Sequence, residues 1–151
     1  MGQLGIGNLV DTHLPTLVKE LKDVEIVQAD GGEEHSIALS KDGKVYVWGQ
    51  NEECQMGLGN LWDDYRRAIR EDETKTQKNL NFIRFFKRPE EHDMLPEGIK
   101  VSKVFAGKHY TMALDESKNR LYSWGLGENC VLGTLDDENV PTPHEVNPKM
   151  F

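Results

Sequence analysis

The sequence predicts an all-β fold made of repeated, short antiparallel sheets, and two observations carry this prediction. First, residues 31–59 (GGEEHSIALSKDGKVYVWGQNEECQMGLG) recur in the same order as residues 107–133, with a glycine, an Ala-Leu pair, an aromatic-x-Trp-Gly and a closing Leu/Met-Gly. Self-similarity at a fixed spacing indicates one supersecondary unit stacked several times. Second, the unit consists of short alternating or β-branched runs separated by turn residues, which is typical of strands.

The spacing between the copies indicates an insertion. Residues 2–7 (GQLGIG) are the closing part of a third copy, and 52 residues separate Gly5 from the equivalent Gly57. By contrast, 76 residues separate Gly57 from Gly133, which is 24 more than the shorter step. We therefore expect one copy to carry an inserted loop.

Four short segments account for one unit. Residues 24–29 alternate apolar and polar side chains, residues 35–40 are small and apolar, and residues 45–48 are β-branched or aromatic. The Asp-Gly at 42–43 suits a tight hairpin turn between the last two. Residues 15–18 begin with a proline and suit an outer edge strand, where the missing N–H is tolerated. Such a set of antiparallel strands, in a unit of about 50 residues, is typical of a β-propeller blade.

The recurring elements resemble the repeat of the regulator of chromosome condensation family. The resemblance rests on residues 31–59, where Ala-Leu, Asp-Gly, Val-Tyr-x-Trp-Gly and Met-Gly-Leu-Gly occur together, and it extends from residue 2 to about residue 145 with 60–92 outside it. It implies four-stranded antiparallel sheets arranged as a seven-bladed propeller. We expect this chain to be a fragment holding about two to three blades. The alternative is a self-sufficient three-blade object that dimerises to cover its ends.

On this interpretation the chain divides into five segments. Residues 1–23 close one blade and supply the outer strand of the next, residues 24–59 are the inner strands of a repeat, and residues 60–98 are an inserted loop. Residues 99–134 form the second full repeat, and residues 135–151 are an acidic loop followed by the start of an outer strand. The residues expected to maintain the repeat structure are Gly32, Trp48, Gly49, Gly57, Gly107, Trp124, Gly125 and Gly133.

The predicted insertion combines mixed charge with aromatic side chains. Its basic residues, interleaved with acidic ones, are Arg66, Arg67, Arg70, Lys75, Lys78, Arg84, Lys87 and Arg88. Its aromatic residues are Trp62, Tyr65, Phe82, Phe85 and Phe86. Mixed charge of this kind is usual in a solvated loop. The aromatic content leaves a partner-binding arm as the alternative.

The composition argues against several classes of function. A net charge of −8 does not suit direct nucleic-acid binding, which needs clustered Lys and Arg to neutralise phosphates. There is no apolar stretch long enough to span a bilayer and no signal-peptide run, so we expect no membrane association. Cys54 and Cys130 fall at the same slot of successive copies, too far apart for a disulfide, and reduced thiols suit a nuclear or cytoplasmic protein.

Motifs for catalysis are also missing from the sequence. The five histidines are scattered, and there is no CxxC pair to hold a metal. The glycines of residues 2–7 follow no strand-to-helix transition, so they do not suit a phosphate-binding loop, and no nucleophile elbow is present. We expect no catalytic residue, metal or cofactor, and a function exerted through a surface.

The resemblance implies which surface function to expect. The best-known member of the family is a guanine nucleotide exchange factor for the small GTPase Ran, which acts in the nucleus and is tethered to nucleosomes. An exchange factor does no covalent chemistry, because it promotes GDP release by stabilising the nucleotide-free GTPase. This chain resembles the later blades of that factor, particularly in its fungal versions, with chromatin contacts expected from parts outside the chain. Roles in nucleocytoplasmic transport and the cell cycle would follow.

One alternative function stays open beside this expectation. The propeller can instead be an interaction scaffold of the same repeat family within a larger multidomain protein, such as a kinase, a ubiquitin ligase or a membrane-traffic protein. The location would then be the cytoplasm rather than the nucleus. No part of this chain corresponds to the blade that, in the exchange factor, inserts a wedge beside the nucleotide.

The resemblance also assigns GTPase contacts residue by residue. In the family, a Gly-x-His-His stretch exposes its first histidine to the GTPase. Here Gly32 precedes Glu33-Glu34-His35 and Gly107 precedes Lys108-His109-Tyr110, so Glu34 and His109 occupy the exposed slot. His35 fills the following slot, where packing or loop bonding is the commoner role. An acidic loop suits a basic patch on a GTPase. The candidate contacts are therefore Glu34, His35, His109, Asp136, Asp137 and Glu138.

Overall fold

The computed structural model describes residues 1–59, 85–117 and 119–146. Within them the chain forms two four-stranded antiparallel sheets. Blade A contains β1 (Ile26–Gly31), β2 (His35–Ser40), β3 (Val45–Gln50) and β4 (Phe85–Glu91), in that spatial order. Blade B contains β5 (Lys103–Ala106), β6 (Tyr110–Asp115), β7 (Arg120–Gly125) and β8 (Val140–Glu145). Short 3-10 helices lie at Lys19–Leu21 and Glu128–Cys130. The predicted all-β class and the four-stranded blades are confirmed.

The outer strand of blade A comes from a different segment than the sequence predicted. Residues 15–18 form no strand, and β4 pairs with β3 instead, with Phe86 opposite Gly49. In blade B, Val140 of β8 lies opposite Gly125 in the same way. Each blade thus takes its outer strand from the chain that follows its own third strand. Residues 15–18 occupy the equivalent position after residues 2–7, the closing part of the first copy. The strand they would pair with is the third strand of a preceding blade, and the described residues contain no such strand.

The predicted insertion of residues 60–98 is shorter than expected, because part of it is β4. Phe85, Phe86, Lys87 and Arg88 belong to this strand rather than to a loop. The strand was missed because its sequence has no period-two pattern and contains a proline, which an edge strand tolerates. The other residues named for the insertion lie outside the described residues: Trp62, Tyr65, Arg66, Arg67, Arg70, Lys75, Lys78, Phe82 and Arg84.

One hydrophobic core runs through both blades. It combines side chains of β2 and β3 with side chains of β5 to β7 and of the loop that connects the blades. Its buried members are Ile37, Leu39, Val45, Val47, Met56, Val101, Val104, Ala113, Tyr122 and Trp124. Because the core crosses the boundary between the sheets, burial of apolar surface holds the blades against each other.

Side chains of the innermost strand of blade A also bond to the backbone of blade B. Gln28 makes a two-point contact, in which its Nε2 donates to the Val104 carbonyl at 2.6 Å and its Oε1 accepts from the Val104 N–H at 3.0 Å. Asp30 Oδ2 accepts from the Ala106 N–H at 2.9 Å. These bonds replace a backbone ladder between β1 and β5 and fix the spacing of the two blades.

The same contact joins each closing loop (residues 2–7 and 51–59) to the blade that follows it. The indole Nε1 of Trp124 donates to the Gln55 carbonyl at 3.0 Å, and that of Trp48 donates to the Gln3 carbonyl at 2.7 Å. Gly5 and Gly57, each two residues after the glutamine, pack closely against the indole ring. A Cβ added to Gly57 would lie 2.6 Å from Trp124. The recurrence of Trp-Gly and Met-Gly in the sequence therefore reflects a physical contact between consecutive copies.

Both blades present their connecting turns on a common face. The turns at 32–34 and 107–109 and the loops that begin at 51 and 126 leave the sheets where His35 pairs with Gly49 and Tyr110 with Gly125. We call this end of the sheets the upper face. The hairpins that join β2 to β3 and β6 to β7 lie at the opposite end.

Candidate partner-binding site

The structure brings five of the six predicted contact residues to the upper face. Glu34 lies in the β1–β2 turn of blade A and His109 in the equivalent turn of blade B. The His109 carbonyl accepts from the Leu126 N–H at 2.9 Å, so this turn contacts the start of the loop after β7. That loop carries the acidic residues and folds back until the Glu138 backbone stands against Gly127.

His35 is the exception, because its side chain is buried and 1% exposed. Its Nε2 lies 3.0 Å from the Thr111 hydroxyl of blade B, and that hydroxyl donates its proton to the Gln55 carbonyl at 2.7 Å. The Nε2 must therefore carry a proton and donate it to Thr111. Burial, with a smaller effect of nearby His109, lowers the pKa of His35 to about 4. His35 links two blades as a neutral ring, so its burial does not favour the expected contact with a GTPase, which stays a prediction.

The structure adds Glu33, which sequence reasoning did not single out. The Glu33 N–H donates to the Lys108 carbonyl at 3.0 Å. Its carboxylate Oε2 lies 3.0 Å from His109 Nε2 and 3.3 Å from Lys108 Nζ. A half-exposed carboxylate of blade A thus holds two basic side chains of blade B. The only signal in the sequence was the position of Glu33 beside Glu34, since the meeting of turns from two blades is a tertiary feature.

The acidic loop is shaped by its own side chains. Asp137 Oδ1 accepts from the Cys130 N–H at 2.9 Å and from the Cys130 thiol at 3.4 Å. Asp136 Oδ1 accepts from the Glu138 N–H at 3.2 Å. Asp136, Asp137 and Glu138 are all exposed. The hydrogen bond to Asp137 raises the pKa of the Cys130 thiol, so that thiol stays protonated at neutral pH. Two of the predicted contact residues therefore also maintain the shape of the loop that presents them.

The loops after β3 and β7 meet, so the upper face is continuous across the two blades. Asn139 Nδ2 of the second loop donates to Glu53 Oε2 of the first at 2.9 Å. Among the described residues of these turns and loops (32–34, 51–59, 107–109 and 126–139), the carboxylates are Glu33, Glu34, Glu52, Glu53, Glu128, Asp136, Asp137 and Glu138, and the basic side chains are Lys108 and His109. A field of one sign over such a surface attracts cationic partners and speeds their association.

Ion pairs are common at the opposite end of the sheets. Ion pairs join Lys41 to Glu25 at 2.8 Å and Lys44 to Glu91 at 3.0 Å. Similar pairs join Lys103 to Glu116 at 3.1 Å and Arg120 to Glu145 at 3.6 Å. In the part of the chain that the structure describes, four carboxylates of this end are thus ion-paired with Lys or Arg.

Over 1–59, 85–117 and 119–146, no group of three or more His, Cys, Asp or Glu side chains is arranged to hold a metal ion. Cys54 and Cys130 are free thiols. The described segments contain no helix with the length and apolar character needed to cross a membrane.

Comparison with known proteins gives relatives of diverse kinds. The chain is 34% identical over 142 residues to the ultraviolet-B receptor UVR8 of Arabidopsis thaliana, covering 93% of this chain and 27% of the receptor. It is 33% identical over 136 residues to protein pim1 of Schizosaccharomyces pombe, covering 89% and 23%. It is 31% identical over 150 residues to mouse HERC4, a probable E3 ubiquitin-protein ligase, covering 99% and 12%. The chain spans about a quarter or less of the length of these relatives.

The fold is shared with a solved structure of Prp20p from Saccharomyces cerevisiae, described together with its binding to Gsp1p and histones. The two superpose with a TM-score of 0.67 at 24% identity, over 97% of this chain and 32% of Prp20p. At the level of sequence, the family model for the regulator of chromosome condensation (RCC1) repeat matches residues 1–39 and 42–114. A second model of the same repeat matches residues 26–55. The chain therefore belongs to the regulator of chromosome condensation (RCC1) repeat family.

Proposed function

We propose that this chain is part of a guanine nucleotide exchange factor for the small GTPase Ran and that its upper face contacts the GTPase. The observation that carries the proposal is the meeting of Glu34, His109 and the acidic loop on one continuous face. Those are the positions that the family resemblance assigns to GTPase contact. The shared fold with Prp20p, whose structure was described with its binding to Gsp1p and histones, supports the same choice.

The proposed mechanism is differential binding without covalent chemistry. A surface that binds the nucleotide-free GTPase more tightly than the GDP-bound form lowers the free energy of the state from which GDP has left. Each difference of about 1.4 kcal/mol between the two affinities shifts that equilibrium tenfold. The acidic upper face contributes by steering a basic patch of the GTPase to the correct orientation, which acts on association rate and specificity. Nuclear location and chromatin contacts belong to the same proposal.

The second candidate is an interaction scaffold within a larger protein. Relatives of nearly equal identity include a light receptor and a ubiquitin-protein ligase, of which this chain spans 27% and 12%. Blades of this family therefore occur in proteins of different activity. On this alternative the upper face binds another protein and GDP release from Ran is unaffected.

A nucleotide-release assay tests the proposal. The full-length product of the gene that encodes this chain is mixed in catalytic amounts with Ran carrying fluorescent GDP, and fluorescence is followed over time. We expect release to be accelerated by several orders of magnitude and the acceleration to fall when His109 is replaced by Ala and Asp136, Asp137 and Glu138 by their amides. Glu97→Gln, an exposed carboxylate in the β4–β5 connection at the opposite end, is the control. No acceleration by a folded protein would favour the scaffold.

A further inference from the structure

We infer that Glu33 is a positioning residue of the upper face, which orients His109 and itself presents the acceptor for a cationic side chain of the partner. This assignment rests on the proposed GTPase contact at His109. It goes beyond that contact, because Glu33 was not among the predicted contact residues and acts from blade A on His109 of blade B. The site is then assembled across the blade boundary.

The first step is the geometry of the turn. The Glu33 N–H donates to the Lys108 carbonyl at 3.0 Å, which ties the 32–34 turn to the 107–109 turn through the backbone. The carboxylate of Glu33 then reaches His109 Nε2 at 3.0 Å and Lys108 Nζ at 3.3 Å through the same oxygen, Oε2. Backbone and side chain of Glu33 therefore act on adjacent residues of the neighbouring blade, and the side chain has little freedom to point elsewhere.

The second step concerns which atoms of His109 remain for a partner. Its Nε2 faces the Glu33 carboxylate, so that nitrogen carries a proton and donates. Its Nδ1 is buried and has no hydrogen-bond partner among the described residues. The side chain of His109 is 20% exposed, whereas that of Glu33 is 50% exposed. The incoming protein meets the carboxylate rather than a free imidazole nitrogen.

The third step is the charge around the pair. Lys108 shares Oε2 with His109, and His35 lies behind His109, neutral and bonded to Thr111. The next carboxylate along the turn is Glu34. An Arg or Lys of the partner is the group that a half-exposed carboxylate in an acidic surface accepts best, through a charge-assisted hydrogen bond. In the proposed contact, the Glu33 carboxylate therefore accepts the cation, and the His109 imidazole holds that carboxylate in place.

The test compares Glu33→Ala, Glu33→Gln, His109→Ala and the double variant Glu33→Ala/His109→Ala in the full-length gene product. Affinity is measured for nucleotide-free Ran, and the His109 ring is observed by ¹⁵N imidazole NMR in alkaline buffer without any partner. We expect Glu33→Ala to weaken binding about tenfold, as for loss of a hydrogen bond to a charged group. We expect the double variant to bind no more weakly than Glu33→Ala, because the two side chains act as one unit.

The NMR readout separates positioning from a purely structural role. In the wild-type protein and in Glu33→Gln, whose amide oxygen still accepts, His109 should be a single tautomer with its proton on Nε2. In Glu33→Ala it should be a mixture of tautomers, while Glu97→Gln leaves it unchanged. The inference would be overturned if His109 kept a single tautomer in Glu33→Ala. It would also be overturned if the fold-loss of affinity in the double variant equalled the product of the two single-variant losses. Absence of Ran binding by the wild-type protein would instead refute the proposed function, with the NMR test unaffected.

Discussion

Thr111 offers the most informative single change, because its hydroxyl joins the two blades by two bonds at once. It donates to the Gln55 carbonyl at 2.7 Å and accepts from His35 Nε2 at 3.0 Å, and its side chain is fully buried. Thr111→Val keeps the shape but removes both bonds. The buried Nε2–H of His35 is then left without an acceptor, and the Gln55 carbonyl loses one of its donors.

The expected loss follows from those two contacts. A net hydrogen bond contributes about 1 kcal/mol, and a buried donor left without a partner costs about 1–3 kcal/mol, so the free energy of unfolding should fall by about 3 kcal/mol. Ser36→Ala is the matched control from the preceding copy, because the Ser36 hydroxyl makes one bond, to the Gln3 carbonyl at 2.8 Å, at a partly buried site. That change should cost about 1 kcal/mol.

Urea unfolding followed by tryptophan fluorescence measures both variants. The midpoint should fall more for Thr111→Val than for Ser36→Ala, with the same slope against urea, since the surface exposed on unfolding does not change. Thr111→Ser restores the hydroxyl and should recover most of the loss. If Thr111→Val costs no more than Ser36→Ala, the hydroxyl does not couple the blades, and the reasoning is refuted.

Three further predictions concern pH, the closing loop and salt. Burial lowers the pKa of both His35 and His92 from 6.5 to about 4, so the unfolded chain binds protons that the folded chain does not. Stability should therefore fall as pH drops from about 6.5 towards 4, by up to about 3 kcal/mol for each ring. Urea midpoints that stay constant over that range would contradict this prediction. Gly57→Ala adds a Cβ at a residue with φ +67, 2.6 Å from Trp124, and should lower the free energy of unfolding in urea by at least about 2 kcal/mol. The loss should exceed that of Gly43→Ala, where φ is +87 and the atom nearest to the new Cβ is 3.5 Å away. Equal losses would argue against close packing of Gly57 on the indole ring. The association rate with Ran should fall as salt rises, because charges on the upper face are screened beyond about 8 Å at physiological ionic strength; a rate independent of salt in stopped-flow measurements would exclude steering.

The inner strands were predictable because their signal is local. The runs at 35–40 and 45–48 correspond to β2 and β3, whose side chains alternate or are buried on both faces. The outer strands were harder, since an edge strand is defined by its partner rather than by its own pattern. The start of an outer strand was expected within residues 135–151, after the acidic loop, and β8 begins there at Val140. The same reasoning failed for β4, because the closing loop and the strand are separated there by inserted residues.

The candidate site was predictable only in part, for a similar reason. The family resemblance placed Glu34 and His109 in the slot exposed to a partner, and the structure puts both residues in turns on one face. What sequence does not contain is the packing of one blade on the next. The contact of Glu33 with His109 and the bond of Gln28 to Val104 each join residues 76 positions apart. The burial of His35 also depends on blade B, which supplies Thr111 as its partner.

The most direct test of the central claim is a hydrogen-exchange footprint of nucleotide-free Ran on the full-length protein. We expect slower exchange in peptides that contain the turns at 32–34 and 107–109 and the loop at 126–139, with no change in the β2–β3 hairpin at the opposite end. Protection of that hairpin in place of the turns, or no protection anywhere in this chain from a GTPase shown to be bound, would contradict the assignment of the upper face.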